Sequence, residues 1–581
     1  MTLLGLHSKI TIVVLILALL ISPFRPEPQL MPGWPDTVFS SPWWAWNLGG
    51  PILADVDGDG DLEVLCGSFD GKMHIWKYDG TYLTGWPQAT GARIPGSPAV
   101  GDVDGDGDME VVACSKKPEP HYEGESLAKI WVWHHTGERL DGWPKTLEGN
   151  PRVYIPSLFD LDGDGTLEII VVAARYYEGT KYNRVYVFHY NGEPFSGWPQ
   201  LTDSTWACLS ASIGDLDDNG DFEIVSIAGH KVFAWHSDGT LLDGWPLNTP
   251  ECGPDTIWYF KPYASPALAD FDNDGDLEIV IGSYRSPGFI DGWVHVYEHD
   301  GKLFRGWPKR LEGIPRISPS IGDVDGDGDL EIVICDHRHF LYVFHHDGTM
   351  LDGFPVQEFG ITGDVTIADI DGDRDIELIV SSQVRADNLG FLYAFHHDGT
   401  LVDGWPLRPP GFTGWCQLPS MADVDVDQSI NLAFRSWNAP DDSRPNDAYI
   451  WLYNLQATYH CDKVEWGCIG HDVWHTGCYG FQVPVGMEER YVQEKMGYKF
   501  QIYPNPFCFS TTIEYTLPYE SKVNIEIYDL SGRMARSLVD GVIESGYHRV
   551  NLIPKNLPNG IYFARFKISG YEETKKLILM R

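Results

Sequence analysis

The sequence predicts an all-β protein in which a β-propeller precedes a small β-sandwich. Two observations predict the propeller. Each repeat contains a hairpin-turn dipeptide, such as Asp79-Gly80, and a Gly-Trp-Pro tripeptide, replaced once by Gly-Phe-Pro at Phe354. A nine-residue acidic motif also recurs every 46 to 58 residues, beginning at Asp55, Asp102, Asp160, Asp215, Asp270, Asp323, Asp369 and Asp423. Beyond Tyr479 the periodicity stops and alternating strands begin, which predicts the sandwich.

The second repeat shows the four strands expected of one unit. Ser97–Val103 is the first, and the acidic loop leads into the second, Glu110–Cys114. Lys129–His135 alternates, and a turn at Thr136-Gly137 leads to a fourth strand that ends at Gly142-Trp143-Pro144. Four strands per ~50 residues, without helical periodicity, are typical of a propeller blade.

The phase of the repeat predicts how the ring closes. A Gly-Trp-Pro at Trp34 precedes the first acidic loop, whereas the last repeat, after Asp423, has none. Loops and outer strands match in number if the N-terminal strand completes the final blade, which removes exposed sheet edges. We therefore expect eight blades, or seven if the degenerate last repeat is not a blade.

Composition limits the partners. The formal charge of −41 argues against nucleic acid and anionic membrane surfaces, because phosphates would be repelled. The acidic motifs hold 37 of the 83 Asp and Glu residues, so nearly half of the negative charge belongs to one repeated motif. Ten cysteines do not make a disulfide scaffold, and the pairing of Cys461, Cys468 and Cys478 stays open.

Residues 1–26 read as a secretory signal peptide. His7 and Lys9 precede an apolar run, Ile10–Ile21, and Ser22-Pro23 ends it. An uncleaved anchor is the alternative, but twelve apolar residues are short for a spanning helix, and we expect no transmembrane segment in the mature chain.

The acidic motif has the composition of a cation site. Carboxylates at loop positions 1, 3 and 5 can converge on one hard cation, and the intervening glycines let the backbone turn. The repeats resemble the FG-GAP and VCBS repeats of integrin α-subunit heads and exported bacterial proteins, from about Trp34 to Tyr479. The resemblance implies about seven structural Ca²⁺ sites, each with ligands at positions 1, 3, 5 and 9 and the carbonyl of position 7.

The resemblance places these ligands at Asp55, Asp57, Asp59 and Glu63; Asp102, Asp104, Asp106 and Glu110; Asp160, Asp162, Asp164 and Glu168; Asp215, Asp217, Asn219 and Glu223; Asp270, Asp272, Asp274 and Glu278; Asp323, Asp325, Asp327 and Glu331; and Asp369, Asp371, Asp373 and Glu377. Arg374 replaces a glycine in the seventh loop. In the eighth, Gln428 and Asn431 replace the glycine and the final acid, so we expect weak binding there.

Acidic and histidine-rich motifs such as these have other possible interpretations. An EF-hand needs a Glu at position 12, where this chain has Cys66, Ala113 or Ile334, so that assignment fails; a solvated acidic turn without metal stays open. Paired histidines recur at His134-His135, His345-His346 and His396-His397. Strand alternation points neighbours to opposite faces, which favours a structural role over a metal pair.

The last eighty residues predict a small β-sandwich. Tyr503–Phe507, Ile527–Arg533, Leu557–Phe563 and the basic tail resemble the C-terminal sorting domain of type IX secretion cargo, although Cys508 stands where Asn is expected. The resemblance implies recognition by outer-membrane secretion machinery; a structural Ig-like module is the alternative. The expected domains are propeller 27–482, linker 483–499 and sorting domain 500–581.

The long connections between strands carry aromatic and basic residues on the ring face opposite the acidic loops. These are Tyr122, Tyr176, Tyr177, Trp258, Tyr259, Arg285 and Trp437. Such loops favour a secreted or cell-surface module that binds a glycan or protein ligand. No catalytic constellation stands out, so an enzyme is the less favoured interpretation; a propeller polysaccharide lyase or another carbohydrate-active enzyme is the alternative, ahead of a quinone-dependent dehydrogenase.

Overall fold

The fold is described from a computed structural model, in which two compact units comprise residues 1–480 and 481–581. The structure describes residues 27–39, 49–116, 128–147, 151–174, 183–202, 208–229, 231–248, 257–260, 264–286, 292–315, 318–358, 360–382, 391–409, 416–437, 447–460, 463–468, 471–472, 475–476, 478–479, 500–503, 511–517, 521–529, 533–543, 546–552, 560–568 and 571–579. The expected signal peptide and linker lie outside these residues. In the described part of the chain all regular elements are strands apart from one helical residue, and no helix there could span a bilayer.

The strands of the first unit follow one another as β1 (Gln29–Leu30), β2 (Asp36–Phe39), β3 (Ile52–Ala54), β4 (Glu63–Gly67), β5 (Lys72–Trp76), β6 (Gln88–Ala89), β7 (Ala99–Gly101), β8 (Glu110–Ser115), β9 (Lys129–His134), β10 (Lys145–Thr146), β11 (Pro156–Phe159), β12 (Glu168–Ala173), β13 (Asn183–Phe188), β14 (Gln200–Thr202), β15 (Ser212–Gly214), β16 (Glu223–Ala228), β17 (Lys231–His236), β18 (Leu247–Asn248), β19 (Ile257–Phe260), β20 (Ala267–Ala269), β21 (Glu278–Ser286), β22 (Gly292–Tyr297), β23 (Lys309–Leu311), β24 (Ser320–Gly322), β25 (Glu331–Cys335), β26 (Phe340–His345), β27 (Val356–Gln357), β28 (Ile361–Ala368), β29 (Glu377–Ser382), β30 (Leu392–His396), β31 (Cys416–Ala422), β32 (Ser429–Trp437), β33 (Asp447–Thr458) and β34 (Val464–Trp466).

Within the described residues these strands form eight antiparallel sheets, one for each acidic loop. Sheets 1 to 8 are, in order, β3–β6, β7–β10, β11–β14, β15–β18, β19–β23, β24–β27, β28–β30 with β34, and β31–β33 with β1 and β2. β1 and β2 both pair with β33, so N-terminal strands complete the last sheet, as the phase of the repeat predicts.

Hydroxyl groups join the innermost strands of neighbouring sheets. The Ser157 hydroxyl donates a hydrogen bond of 3.1 Å to the carbonyl of Ala211, at the start of the next inner strand. The same bond recurs from Ser212 to Pro266, Ser320 to Val365, Thr366 to Pro419 and Ser420 to Pro51. The last of these joins sheet 8 to sheet 1, where the ring closes.

The Gly-Trp-Pro tripeptides lie between the third and fourth strands. In the second repeat the fourth strand, β10, begins at Lys145, so the expectation that it ends at Pro144 is wrong. Gly142 adopts a φ of 94°, and a Cβ there would lie 2.1 Å from the carbonyl oxygen of Asn191 in the next sheet. The close approach of two sheets therefore requires glycine at this turn.

Each buried tryptophan of this tripeptide contacts the following sheet. The Trp86 indole N–H donates to the carbonyl of His135 at 2.8 Å, and its ring meets Trp133 edge to face with centroids 5.8 Å apart. Equivalent bonds run from Trp34 to Tyr78, Trp143 to Tyr190, Trp198 to Ser237, Trp245 to His299 and Trp307 to His346. The expected packing of these residues between blades is confirmed.

The segment that follows the last sheet lies against the inner strands, in the central channel. Its strand β34 pairs with the inner strand of sheet 7, with Trp466 opposite Ile367. The carbonyl of Gly467 then accepts a hydrogen bond of 3.2 Å from the backbone of Met421 in sheet 8. Cys468 is buried among residues that include Ile52 of sheet 1.

Further along, the same segment reaches the opposite side of the ring. His475 is fully buried, and its Nδ1 donates to the carbonyl of Pro156 in sheet 3 at 2.9 Å. The carbonyl of Thr476 accepts from Ile213 of sheet 4, and Tyr479 donates to Leu268 of sheet 5. Residues 463–479, which we call the channel segment, thus connect sheets that are distant in the chain.

The second unit is a β-sandwich of two antiparallel sheets. Its strands are β35 (Phe500–Tyr503), β36 (Thr511–Leu517), β37 (Ser521–Asp529), β38 (Met534–Ile543), β39 (Gly546–Leu552), β40 (Gly560–Ile568) and β41 (Tyr571–Leu579). One sheet has the order β35-β36-β39 and the other β38-β37-β40-β41. Val523, Ile525 and Ile527 alternate along β37 and are buried in the shared core, as their spacing predicts.

Substitution of Trp86 tests the contact between sheets. Trp86→Phe should lower the free energy of unfolding by about 1 kcal/mol, because it removes one hydrogen bond and keeps a ring. Trp86→Ala should lower it by about 3–5 kcal/mol, because it also leaves a cavity. Urea unfolding at one fixed calcium concentration measures both values, and equal losses in the two variants would contradict a separate role for the ring.

Hydrogen exchange tests the channel segment. Trp466→Ala should speed exchange at the amides of Ile213 and Met421, because both donate to carbonyls of that segment. The amides of β9, a third strand away from the channel, serve as the control. Unchanged exchange at Ile213 and Met421, measured by mass spectrometry, would show that the segment does not hold these strands.

Candidate metal centres

Every acidic loop joins the first and second strands of its sheet. Position 9 of seven loops is a glutamate that begins the second strand: Glu63, Glu110, Glu168, Glu223, Glu278, Glu331 and Glu377. All seven side chains are fully buried. The loops therefore share one edge of the ring, and each holds one carboxylate at the inner end of the loop.

The buried glutamate is fixed by the loop backbone. Oε2 of Glu63 accepts a hydrogen bond of 2.9 Å from the N–H of Val56, at position 2, and this bond recurs in the other six loops. Burial, together with the charges of neighbouring aspartates, raises the pKa of Glu63 to about 8 and that of Glu377 to about 9. A positive charge near these carboxyls would relieve both effects.

The aspartates at positions 3 and 5 shape the loop. Asp59 accepts the N–H of Asp61 at 2.9 Å, and all other loops repeat the bond from position 7 to position 5, the acceptors being Asp106, Asp164, Asn219, Asp274, Asp327, Asp373 and Asp427. Asp57, Asp104, Asp162, Asp325 and Asp371 accept the N–H of position 5. In loops 4, 5 and 8 position 5 donates instead to position 1, namely Asp215, Asp270 and Asp423.

Several carboxylate oxygens remain available for a cation. Buried oxygens of Asp55, Asp102 and Asp323 at position 1, and of Glu63 and Glu278 at position 9, have no hydrogen-bond partner. Ligand atoms of Asp55, Asp57 and Glu63 lie within 4.8 Å of one another. The donor set is therefore one that a hard cation fits.

Positions 4 and 6 adopt left-handed backbone conformations. At position 6 the φ of Gly107 is 97°, whereas Arg374 and Gln428 take the same region at 73° and 70°. Val426, a β-branched residue at position 4 of loop 8, has a φ of 56°. Such residues are strained there, so loops 7 and 8 carry a backbone cost that the glycine loops do not.

A histidine faces five of the seven buried glutamates, and three of these histidines belong to the pairs for which the sequence favours a structural role. His134 lies opposite Glu110 in the β8–β9 ladder, and its Nδ1 is 2.9 Å from Oε1 of that glutamate. His189, His236, His345 and His396 make the same contact. In at least four loops position 3, position 9 and this histidine form a compact group.

The second histidine of a pair turns to another carboxylate. His135 Nδ1 lies 3.8 Å from Asp108, and His346 lies equally far from Asp329. The two members of a pair thus contact different acids, as strand alternation predicts. The pairing register between the second and third strands is the feature that would have predicted these histidines beside the acidic loops.

Loops 1 and 5 have other residues at the position opposite the buried glutamate. In loop 1 the Nζ of Lys77 lies 3.1 Å from Oδ2 of Asp57 and 3.0 Å from Oδ2 of Asp59. Burial alone would lower the pKa of Lys77, but hydrogen bonds to these aspartates raise it. In loop 5 the equivalent residue is Glu298, whose pKa is raised by burial and by Asp272.

Loops 7 and 8 also differ in their ligands. Nδ1 of His460, beyond the last sheet, lies 2.6 Å from Oδ2 of Asp369, the position 1 residue of loop 7. In loop 8 Asn431 accepts the N–H of Val424 at 2.8 Å, so it keeps the backbone contact of the glutamate without its charge. The expectation of weak binding at loop 8 stays a prediction.

The residues proposed for ligand recognition are only partly described. Tyr122, Tyr176 and Tyr177 lie outside the described residues, and for Trp258, Tyr259, Arg285 and Trp437 the structure describes the backbone strand alone. β8 ends at Ser115 and β9 begins at Lys129, so this long connection leaves the edge opposite the acidic loops.

Comparison with protein families identifies both parts of the chain. An FG-GAP-like repeat model matches residues 55–113, 160–226, 270–334 and 323–380. A secretion system C-terminal sorting domain matches residues 501–580. No curated relative matches the chain.

Among solved structures, the chain is similar to BBS1N in its complex with ARL6DN, at a TM-score of 0.37 and 12% identity over 61% of this chain and 95% of that one. It is similar to the Dos1 propeller, at a TM-score of 0.34 and 11% identity over 70% and 79%. It is also similar to PorZ, a surface component of the type-IX secretion system of Porphyromonas gingivalis, at a TM-score of 0.22 and 12% identity over 91% and 75%.

The repeat matches and the repeated four-stranded sheets agree. The chain is therefore an all-β propeller protein with FG-GAP-like repeats and a type IX C-terminal sorting domain, which makes it a secreted or cell-surface protein.

Proposed function

We propose that the propeller is stabilised by calcium and binds a glycan or protein ligand outside the cell. The observation that supports calcium most strongly is the fully buried glutamate at position 9 of seven loops, surrounded by aspartates. Bare carboxylates at this density repel one another, and burial adds a desolvation cost. A bound cation would remove both penalties.

The choice of cation follows from the ligand atoms. Positions 1, 3, 5 and 9 would hold it through carboxylate oxygens, with Asn219 supplying an amide oxygen in loop 4. Oxygen-rich sites favour calcium over zinc or copper, which prefer nitrogen and sulfur ligands. Calcium would supply positive charge to a fixed loop, so its role here is structural.

The edge opposite the acidic loops supports a recognition role. There Lys116 lies 4.4 Å from the centre of the Tyr154 ring, and Arg93 lies 5.2 Å from that of Phe69. Aromatic and basic groups on loops above a rigid ring are suited to sugars or protein surfaces. The long connections of sheets 2, 3, 5 and 8 leave the same edge.

A propeller polysaccharide lyase is the less supported alternative. Such an enzyme would need Lys, Arg or His beside a cation in a central cleft. The channel segment lies in that part of the ring and is bonded to the inner strands. A recognition surface on the loops needs no open channel, so binding accounts for this architecture more simply.

Calcium removal tests the metal proposal. Excess chelator should lower the melting temperature sharply, because a cation at 100 times its dissociation constant contributes about 2.7 kcal/mol per site. Glu331→Gln should reduce the calcium effect by one site while its amide oxygen still accepts the N–H of Val324. Differential scanning calorimetry measures both, with magnesium as the ion-size control. An unchanged melting temperature in chelator would refute calcium stabilisation.

A glycan array tests the recognition proposal. The calcium-loaded full chain should bind a defined group of glycans, and Lys116→Ala should weaken binding at least tenfold if the edge opposite the acidic loops is the site. Lys302→Ala, a lysine paired with Asp300 in the hairpin turn of sheet 5 on the acidic-loop edge, is the matched control. Unsaturated products from the bound glycans would favour the lyase instead. Absence of any glycan binding would leave a protein ligand as the proposal, to be sought by cross-linking on whole cells.

A further inference from the structure

The residue opposite position 9 differs in charge from loop to loop. It is histidine in loops 2, 3, 4, 6 and 7, asparagine (Asn454) in loop 8, lysine (Lys77) in loop 1 and glutamate (Glu298) in loop 5. The position is the same in each ladder, just beyond the pair Val64–Trp76 in sheet 1 and Ile279–Tyr297 in sheet 5. The variation therefore changes the charge beside each loop without changing its backbone.

Lys77 places a positive charge on two predicted calcium ligands. Its ammonium group lies within 3.1 Å of Asp57 and Asp59, which occupy positions 3 and 5. A third ligand, Glu63, is fully buried, and its Oε1 has no hydrogen-bond partner. Loop 1 thus keeps the ligand arrangement of a cation site, and the ammonium group of Lys77 already supplies a positive charge there.

Glu298 has the opposite effect in loop 5. The buried Glu278 has an Oε1 without a hydrogen-bond partner, and the charge of Glu298 acts on it and on Asp272. Loop 5 therefore gathers one more carboxylate than the histidine loops. Additional ligand charge is a main determinant of calcium affinity in oxygen-ligand sites.

We propose that the residue opposite position 9 ranks the loops by calcium affinity. Lys77 is an internal counter-ion that makes loop 1 the weakest of the loops with a complete ligand set, and Glu298 makes loop 5 the tightest. The inference rests on the calcium binding proposed above. It follows that loop 1 stays closed without metal, whereas loop 5 depends on it most.

Charge-altering substitutions test this ranking. Lys77→His introduces the residue of five other loops and should raise the calcium affinity of loop 1 at least tenfold. Glu298→His should lower the affinity of loop 5 by a similar factor. Lys72→His and Glu358→His make the same charge changes on the edge of the ring opposite the acidic loops, where the third strand of sheet 1 begins and just after the fourth strand of sheet 6 ends.

Native mass spectrometry of the full chain across free calcium concentrations counts the bound ions. Glu63→Gln and Glu278→Gln, each combined with its partner substitution, identify which step of the titration belongs to loop 1 or loop 5. Melting temperatures supply a second readout. In chelator Lys77→His should melt below the wild type, because the internal counter-ion is lost, and in saturating calcium the difference should vanish or reverse.

The outcomes separate the two proposals. If the wild type binds no calcium, both the proposed stabilisation and this ranking are wrong. If calcium binds but Lys77→His leaves every step of the titration unchanged, the ranking alone is wrong, and Lys77 makes an ordinary surface ion pair. Equal effects from Lys77→His and Lys72→His would also overturn it, because net charge would then explain the shift.

Discussion

The fold depends on placing a fully buried carboxylate after the acidic loop in seven of its eight sheets. Glu63 and its equivalents begin the second strand and accept a backbone N–H from position 2. They lie beside aspartates that are held in place by hydrogen bonds from the loop backbone. The left-handed residues at positions 4 and 6 are needed to bring those aspartates inward. Charge concentrated in this way is costly, and a histidine faces it in five loops and Lys77 in loop 1. The calcium ion that we propose would be a further counter-charge.

Ring closure uses weaker contacts that are repeated many times. A single bond such as that from Ser420 to Pro51 contributes about 1 kcal/mol, and so does an indole N–H bond such as that of Trp86. Every neighbouring pair of sheets makes at least one such contact. Sheets 8 and 1 make both kinds, so no pair of neighbouring sheets is left unjoined where the ring closes. The channel segment adds bonds between sheets that are not neighbours, which resists opening at any one seam.

Sequence periodicity predicted the repeat, the acidic loops and the N-terminal contribution to the last sheet, because each of these depends on residues a fixed distance apart. It misplaced the fourth strand, since Trp143-Pro144 resembles a strand end but turns the chain at Gly142. It assigned the histidines opposite Glu110 and Glu331 a structural role, because their contacts depend on pairing across a hairpin. It did not predict the channel path of residues 463–479, which have no repeat to align with.

Repetition explains why the loops need not be equivalent. With seven near-complete loops, the loss of one of the proposed cations would leave most of the ring supported, so an individual loop could change its charge at small cost to the whole. Lys77, Glu298 and the His460–Asp369 contact are such changes, each in a different loop. A ring built this way would remain partly closed at low calcium, and its opposite edge could then diverge in sequence without losing its support.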